Sequence, residues 1–304
     1  MKTKQEKPLV SVIVTTFNRE ELLTETISSI LAQTYKNFEL IIVDNFSDYD
    51  FFTHIESFND NRIAPFQNRN NGVIAVSRNF GIQKAKGEFI AFCDDDDLWM
   101  PYKLEEQIKH FDDGSIIGVG SESISFDDVG VRKKKQVKHD IILDFKEIIR
   151  GESVALSSLM IRNEGFLFDE VELFLACEDF DFQLKITLET AKKIKLLSKP
   201  FIYYRINSNN RSSGLNQTLN SLNVIEKYKR HLSIEMEKEI VGKIHYKIGK
   251  QELAFQLSRE SRKHFLRSLL TWSLSYGRMG KCVLGIIISL VPEVFQKYLI
   301  KNIF

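Results

Sequence analysis

FIAFCDDDDLWMP (89–101) is the stretch that decides the fold of this chain. An apolar run of strand character, Phe89 to Cys93, leads directly into four consecutive carboxylates, Asp94 to Asp97. Adjacent like charges repel one another, and a carboxylate is costly to remove from water without a partner. A solvated turn would not need a long apolar strand to carry it, so the arrangement favours a ligand site at a strand tip.

Strand and helix patterns alternate on the N-terminal side of this stretch. LVSVIVTTF (9–17) and FELIIVDNFSD (38–48) have the apolar, β-branched composition of buried strands. Between them the apolar residues take a helical period from Glu20, and Asn18 is predicted to cap this helix. A strand, a helix and a strand in so short a span indicate a βαβ unit, which implies a parallel sheet.

The chain is predicted to have two parts. They are residues 1–213, of which 1–113 alternate strands and helices in the α/β style of a nucleotide-binding sheet, and residues 214–304, which form a helical region. Within the first part, 114–175 hold shorter strand-like pieces around the basic run RKKKQVK (132–138), which we interpret as a solvated turn.

Composition excludes several classes of protein. Basic and acidic residues nearly cancel, 42 against 41, so we expect no nucleic-acid partner. The cysteines are odd in number, widely spaced and without a CxxC pair, which suits a reducing compartment and argues against disulfides and zinc. They are Cys93, Cys177 and Cys282.

A short apolar segment, CVLGIIISLV (282–291), lies near the C-terminus. It has about ten residues and a membrane-spanning helix needs about 20, so it does not cross a bilayer. Two interpretations remain open: a buried core helix, or an interfacial helix in peripheral contact with an anionic membrane. The second rests on nearby cations, which are Arg278, Lys281, Lys297 and Lys301.

The four aspartates indicate a cation site. An EF-hand loop is excluded, because Trp99 stands where that loop requires glycine. Mg²⁺ and Mn²⁺ take one or two protein carboxylates and complete their shell with substrate phosphates. We therefore expect Mn²⁺ or Mg²⁺ here, completed by a diphosphate. Alternation along the strand would direct Asp94 and Asp96 to one side and Asp95 to the other.

Four ordered blocks of this sequence resemble those of family 2 glycosyltransferases. They are PLVSVIVTTFNRE (8–20), ELIIVDNFSD (39–48), NNGVIAVSRNFGIQKAKGEFIAFCDDDDLWMPYKLEEQ (70–107) and CEDFDFQLKI (177–186). The resemblance covers about residues 8–213. It implies the GT-A fold, a Rossmann-like mixed sheet flanked by helices, here with a C-terminal helical extension.

The resemblance implies roles for residues that bind the nucleotide. Thr15 and Phe17, at the end of the first strand, would bind the nucleobase. Asp44 would accept a hydrogen bond from uracil N3–H. Arg78, in the SRN triplet, matches an arginine that reaches the nucleotide.

The resemblance also implies the metal ligands and the base. Asp96 aligns with the residue that ligates the metal, with Asp94 as the second carboxylate of that site. Asp94 and Asp95 would contact the ribose hydroxyls or metal-bound water. The general base falls on Asp179, with Glu178 beside it, although acids at a helix start are also ordinary without this context.

These residues imply an inverting, metal-dependent transfer of a sugar from a UDP-sugar to a hydroxyl of a glycan or lipid-linked acceptor. Such reactions build cell-surface polysaccharide. One base and one metal suffice, so no covalent intermediate is required. The resemblance places such an enzyme in the cytoplasm, peripheral on the inner face of the cell membrane in many relatives.

Departures from the family pattern leave a second interpretation open, a non-catalytic module that binds nucleotide-sugar or glycan. Asn45 and Phe46 stand where many relatives have an acid and a glycine, which brings the shape of that loop into question. Asn207 stands where many carry histidine, sometimes near the metal, and Lys185 where relatives often have arginine.

Two other points concern the phosphates. Arg205 and Arg211 are candidates for contact with the diphosphate or the acceptor, although a flexible polar loop explains them equally. Nucleotidyl transfer ranks last among the functions, because the N-terminal region has no glycine-rich basic loop to hold a triphosphate.

Overall fold

A computed structural model of the chain describes residues 7–127, 129–132, 137–206, 214–255, 257–271, 276–291 and 296. By their contacts the residues form two compact units. The first comprises Met1–Val171 and Glu178–Asn210, and the second comprises Glu172–Cys177 and Arg211–Phe304.

In the described part of the first unit, ten strands form one mixed sheet. They are β1 Val10–Thr16, β2 Phe38–Asp44, β3 Ile63–Gln67, β4 Phe89–Asp94, β5 Leu98–Trp99, β6 Ile116–Asp127, β7 Gly130–Arg132, β8 Ile141–Leu143, β9 Met160–Arg162 and β10 Lys193–Arg205. The order is β3-β2-β1-β4-β9-β6-β10-β5, with β7 beside β6 and β8 beside β10.

Helices flank this sheet and a second set makes up the C-terminal unit. The first unit contains α1 Glu20–Leu31, α2 Phe51–Glu56, α3 Ile74–Lys84, α4 Lys103–Ile108, α5 Phe145–Ile149 and α6 Glu178–Thr190. The second contains α7 Leu215–Tyr228, α8 Ile234–Ala254, α9 Ser258–Thr271 and α10 Tyr276–Leu290. The predicted fold, a mixed sheet flanked by helices with a helical extension, is confirmed.

The N-terminal half of the sheet is parallel, as the βαβ pattern predicts. β3, β2, β1 and β4 run parallel, whereas β9 lies antiparallel between β4 and β6. Every residue of β1 is buried, and α1 covers the sheet with Leu23, Ile27 and Ile30. Full burial of such a side chain contributes about 1.5–3 kcal/mol, so this apolar layer fixes the strand ends.

The predicted cap of α1 is wrong. The cap residue is Arg19, and no side chain caps the helix, because Asn18 is engaged elsewhere. Asn18 takes φ 52°, its Oδ1 accepts from the Asp48 N–H at 2.7 Å, and its Nδ2 donates to the Asp48 carboxylate at 2.8 Å. Asn18 therefore ties the loop after β1 to the loop after β2.

In the described part of the C-terminal unit, α8, α9 and α10 pack around a small apolar cluster of Leu253, Phe265 and Ile288. α10 contains the apolar segment 282–291, of which Cys282 and Ile288 are buried whereas Ile287 is exposed. Within the described ranges, no helix combines the length and the apolar character needed to cross a bilayer. Most of the basic run 132–138 lies outside the described residues.

Candidate active site

The predicted site residues converge at the carboxyl ends of β1, β2 and β4. In the strand register, Thr16 lies level with Asp44, and Thr15 lies level with Asp94. Side chains at these ends therefore share one edge of the sheet, where open α/β sheets hold ligands. Thr15 itself is buried.

Two of the four aspartates, Asp95 and Asp97, are buried and held by the protein itself. Asp95 accepts hydrogen bonds from Thr16 Oγ1 at 2.8 Å and from the Arg19 guanidinium at 2.9 Å. Burial raises the pKa of Asp95 to about 6, although Arg19 and Thr16 oppose the shift. Asp97 accepts from the Arg205 N–H at 2.9 Å, and burial together with nearby carboxylates raises its pKa well above the ordinary value.

The other two, Asp94 and Asp96, are each paired with an arginine. The Asp94 side chain is 36% exposed and that of Asp96 is 13% exposed. Arg78 lies 3.0 Å from Asp94, and Arg19 lies 3.1 Å from Asp96. The predicted alternation does not hold, because β4 ends at Asp94 and both Asp95 and Asp96 contact the same Arg19 nitrogen.

The carboxylate oxygens of Asp94 and Asp96 are suitable ligands for a hard divalent cation. Carboxylate oxygens are the ligands that Mg²⁺ and Mn²⁺ prefer. Among the described residues no group of three or more His, Cys, Asp or Glu could hold a metal ion. Two carboxylates leave coordination positions for water and phosphate oxygens, which is how Mg²⁺ sites for nucleotides are commonly built. Asn207 lies outside the described residues.

Arg78 joins this strand end to α6. Its guanidinium donates to Asp94 at 3.0 Å and to Glu178, the first residue of α6, at 2.8 Å. Burial disfavours the charged guanidinium, but Asp94 and Glu178 outweigh it and raise the pKa of Arg78. In this structure the described hydrogen bonds of Arg78 thus go to protein carboxylates.

Asp179, the predicted base, lies in the first turn of α6 beside Glu178. Burial raises the pKa of Asp179 to about 7, the charge of Glu178 adds to the shift, and Arg78 opposes it. The Phe180 N–H donates to Asp179 Oδ1 at 2.8 Å. A carboxylate that exchanges a proton near neutral pH suits a general base.

Asp44 ends β2 as a fully buried carboxylate. It accepts hydrogen bonds from the N–H of Ser47 at 3.0 Å, from the hydroxyl of Ser47 at 2.5 Å and from Gln67 Nε2 at 3.0 Å. These three donors fix the orientation of the carboxylate at the strand end.

Two large aromatic side chains are exposed in the loops after β1 and β2. They are Phe17 and Phe46, which expose 50% and 44% of their surface. Phe46 takes a left-handed backbone conformation, φ 61°, and the Arg69 guanidinium lies 4.9 Å from its ring centre. The loop therefore has a conformation that glycine adopts freely, and Phe46 adopts it at a cost of about 1–2 kcal/mol.

Sequence reasoning missed Arg19 as a site residue. It lies within the first family block, but its contacts with Asp95 and Asp96 depend on the register of β1 and β4. Two basic residues that the sequence analysis named, Lys185 and Arg205, form hydrogen bonds with backbone carbonyls. Lys185 donates to the Leu167 carbonyl at 3.0 Å, and Arg205 donates to the Asp96 carbonyl at 2.9 Å. Arg211 lies outside the described residues.

Comparison with known sequences shows the family of this chain. The family described as Glycosyl transferase family 2 matches residues 11–165. The Escherichia coli protein named UDP-Glc:alpha-D-GlcNAc-diphosphoundecaprenol beta-1,3-glucosyltransferase WfgD is 41% identical over 100 residues, 33% of this chain and 40% of that protein. An uncharacterized glycosyltransferase of Methanocaldococcus jannaschii is 27% identical over 308 residues, 98% of this chain and 94% of the relative. The chain spans only 18–41% of the first three curated relatives that it matches.

Comparison with solved structures shows the fold. The crystal structure of S. aureus TarS has a TM-score of 0.62 at 20% identity and covers 94% of this chain and 55% of that one. TarS 1–349 in complex with UDP has a TM-score of 0.57 at 18% identity, with 95% and 91% covered. These likenesses show a GT-A-like fold. The chain belongs to glycosyl transferase family 2.

Proposed function

We propose that this enzyme moves a sugar, with inversion, from a UDP-sugar to a hydroxyl of a glycan or lipid-linked acceptor in cell-surface polysaccharide synthesis. The observation that carries the proposal is the Arg78 bridge, which joins a strand-end carboxylate, Asp94, to the helix that bears Asp179. The name of WfgD and the TarS complexes with UDP and UDP-GlcNAc support the class of donor. The name of WfgD, which includes diphosphoundecaprenol, also supports a lipid-linked acceptor, and so a reaction at the inner face of the cell membrane.

The nucleobase would lie at the ends of β1 and β2. Asp44, held by Ser47 and Gln67, would accept the uracil N3–H. Thr15, at the end of β1, would contact the nucleobase, and Phe17 and Phe46 offer exposed rings on which the base could stack. Stacking of a base on an aromatic ring contributes about 1–3 kcal/mol.

Asp96 and Asp94 would hold Mn²⁺ or Mg²⁺, which when bound supplies positive charge for the leaving diphosphate. Arg19 and Arg78 hold these carboxylates in place. Asp95, which the family resemblance assigns to ribose or metal-bound water, is proposed instead to orient Arg19. The Arg19 nitrogen that donates to Asp95 at 2.9 Å also donates to Asp96 at 3.1 Å, so Asp95 holds the arginine that pairs with the proposed metal ligand.

Asp179 would remove the proton from the acceptor hydroxyl as that oxygen attacks the anomeric carbon. The bond from this carbon to the diphosphate breaks, and its electron pair leaves with UDP. Attack opposite the leaving group inverts the anomeric centre, and Asp179 then releases the proton to water. Glu178 contributes by its charge, which helps to keep the pKa of Asp179 near 7.

A UDP-release assay with a panel of UDP-sugars and a membrane extract as acceptor tests this proposal. We expect release by the wild type with at least one donor. Asp179→Asn should bind UDP with the affinity of the wild type. It should form UDP from the UDP-sugar about 10²–10⁴-fold more slowly, because the base is lost. Equal release by Asp179→Asn would contradict the assignment of the base. A wild type that binds UDP but releases none with any donor would favour the non-catalytic module.

A further inference from the structure

The inner faces of α9 and α10 are filled by close packing within the C-terminal unit. Phe265 of α9 lies so near Gly285 of α10 that a Cβ on this glycine would meet the ring at 2.5 Å. Ser268 of α9 donates to the Gly242 carbonyl of α8 at 2.8 Å. These contacts fix which faces of α9 and α10 point away from the helical core.

The outer face of α10 carries a row of exposed apolar side chains. Met279, Val283, Ile287 and Leu290 follow at intervals of four, four and three residues, so they share one face of the helix. They are 44% to 67% exposed, and Leu270 on α9 is 85% exposed. Single apolar residues on a surface are ordinary, whereas a contiguous row marks an interaction site.

The charge of the same two helices is one-sided. α9 and α10 together contain six Lys or Arg and one Glu, although basic and acidic residues nearly balance in the whole chain, 42 against 41. The neighbouring α8 contains four Lys and four Glu. The exposed cations Arg259, Lys263 and Arg267 of α9 follow at intervals of four residues and share the outer face of that helix with Leu270.

We propose that the outer faces of α9 and α10 bind the surface of a membrane that contains anionic lipid. The apolar row would enter the boundary between head groups and acyl chains, and the cations would contact lipid phosphates. A second copy of this chain fits less well, because two such faces would set like charges against each other. This inference needs no nucleotide and stands apart from the proposed donor.

Sedimentation of the full chain with lipid vesicles tests the inference. We expect binding to phosphatidylcholine vesicles that contain about 30% phosphatidylglycerol, little binding to phosphatidylcholine alone, and weaker binding at high salt. Val283→Ser/Ile287→Ser should lower the ratio of bound to free protein about tenfold, because two apolar side chains leave the interface. Lys263→Glu/Arg267→Glu, two exposed cations on the outer face of α9, should lower it at least about tenfold.

Two variants of α8 are matched controls. Ile234 is 67% exposed and Lys247 is also exposed, so Ile234→Ser and Lys247→Glu repeat the same chemistry on a helix without the proposed face. Both controls should bind vesicles like the wild type. Melting temperatures near that of the wild type would show that the α9 and α10 variants lose binding without unfolding.

Three results would overturn the inference. The wild type could remain in the supernatant with both kinds of vesicle, or the control variants could lose binding as strongly as the test variants. Analytical ultracentrifugation could show a dimer that Val283→Ser/Ile287→Ser converts to a monomer, without vesicle binding, which would assign the face to a second copy. None of these results would alter UDP release, so the two proposals fail separately.

Discussion

Asp94 and Glu178 accept hydrogen bonds from one guanidinium, at 3.0 Å and 2.8 Å from Arg78. One carboxylate ends a strand and the other begins a helix, so the pair joins two distant parts of the chain. Arg78 is buried, and breaking a buried ion pair costs far more than losing an exposed one. The bridge therefore links the proposed metal site to the helix of the proposed base.

Arg78→Lys tests this bridge. A single ammonium keeps the charge but cannot donate to both carboxylates in the same fork geometry. We expect UDP release to fall about tenfold to hundredfold and the free energy of unfolding to fall by about 1–3 kcal/mol. Arg62→Lys is the control, because Arg62 pairs with Asp60 at 2.6 Å on a partly exposed surface. Equal losses in the two variants would contradict a special role for Arg78.

The pH dependence of UDP release tests the base. Asp179 must be unprotonated to accept a proton, and burial with the charge of Glu178 raises its pKa to about 7. We expect kcat/KM to rise with pH through an apparent pKa of about 7, the value to which burial and the charge of Glu178 raise Asp179. A rate already maximal at about pH 5 would contradict this assignment.

The same pKa predicts how stability depends on pH. A carboxyl group with a raised pKa in the folded state stabilises the fold while protonated, and this contribution is lost as pH rises through about 7. Asp179→Asn is neutral at every pH, so it should raise the melting temperature above that of the wild type at about pH 8 and much less at about pH 5. Calorimetry at both values checks this, and equal shifts would show that the charge of Asp179 is not destabilising.

Phe46→Gly should separate stability from binding. Glycine adopts φ 61° without strain, so the variant should gain about 0.5–1 kcal/mol in the free energy of unfolding. It should bind UDP about tenfold more weakly, because a stacking ring is lost. Ala191→Gly, at φ 55° outside the site, should gain stability and keep its affinity. UDP affinity unchanged in Phe46→Gly would remove this ring from the nucleotide site.

Much of this architecture could be predicted from the sequence. β1, β2 and β4 are mainly apolar runs, and the ends of β2 and β4 place the carboxylates Asp44 and Asp94. The different environments of Asp95 and Asp96 could not be predicted, because they depend on the turn after β4 and on Arg19. The backbone conformation of Phe46 could not be predicted either: its place opposite glycine in many relatives only brought the loop into question, and phenylalanine rarely takes a positive φ.

The sequence also could not show which residues belong to the C-terminal unit. Glu172–Cys177 belongs with α7, because the side-chain amides of Asn220 and Asn223 donate to the carbonyls of Leu175 and Leu173, at 2.9 Å and 3.4 Å. Hydrogen bonds from a side chain to a distant backbone carbonyl leave no periodic pattern. The predicted division into 1–213 and 214–304 stays a prediction.

Calorimetric titration of UDP with and without Mn²⁺ tests the central claim most directly. The account predicts that Mn²⁺ strengthens UDP binding to the wild type about tenfold or more and that chelation removes this gain. Asp112→Asn, a change at an exposed aspartate, should keep the gain, whereas Asp96→Asn should bind UDP equally with and without Mn²⁺. A wild type indifferent to Mn²⁺, or an Asp96→Asn variant with the full gain, would contradict the proposed cation site.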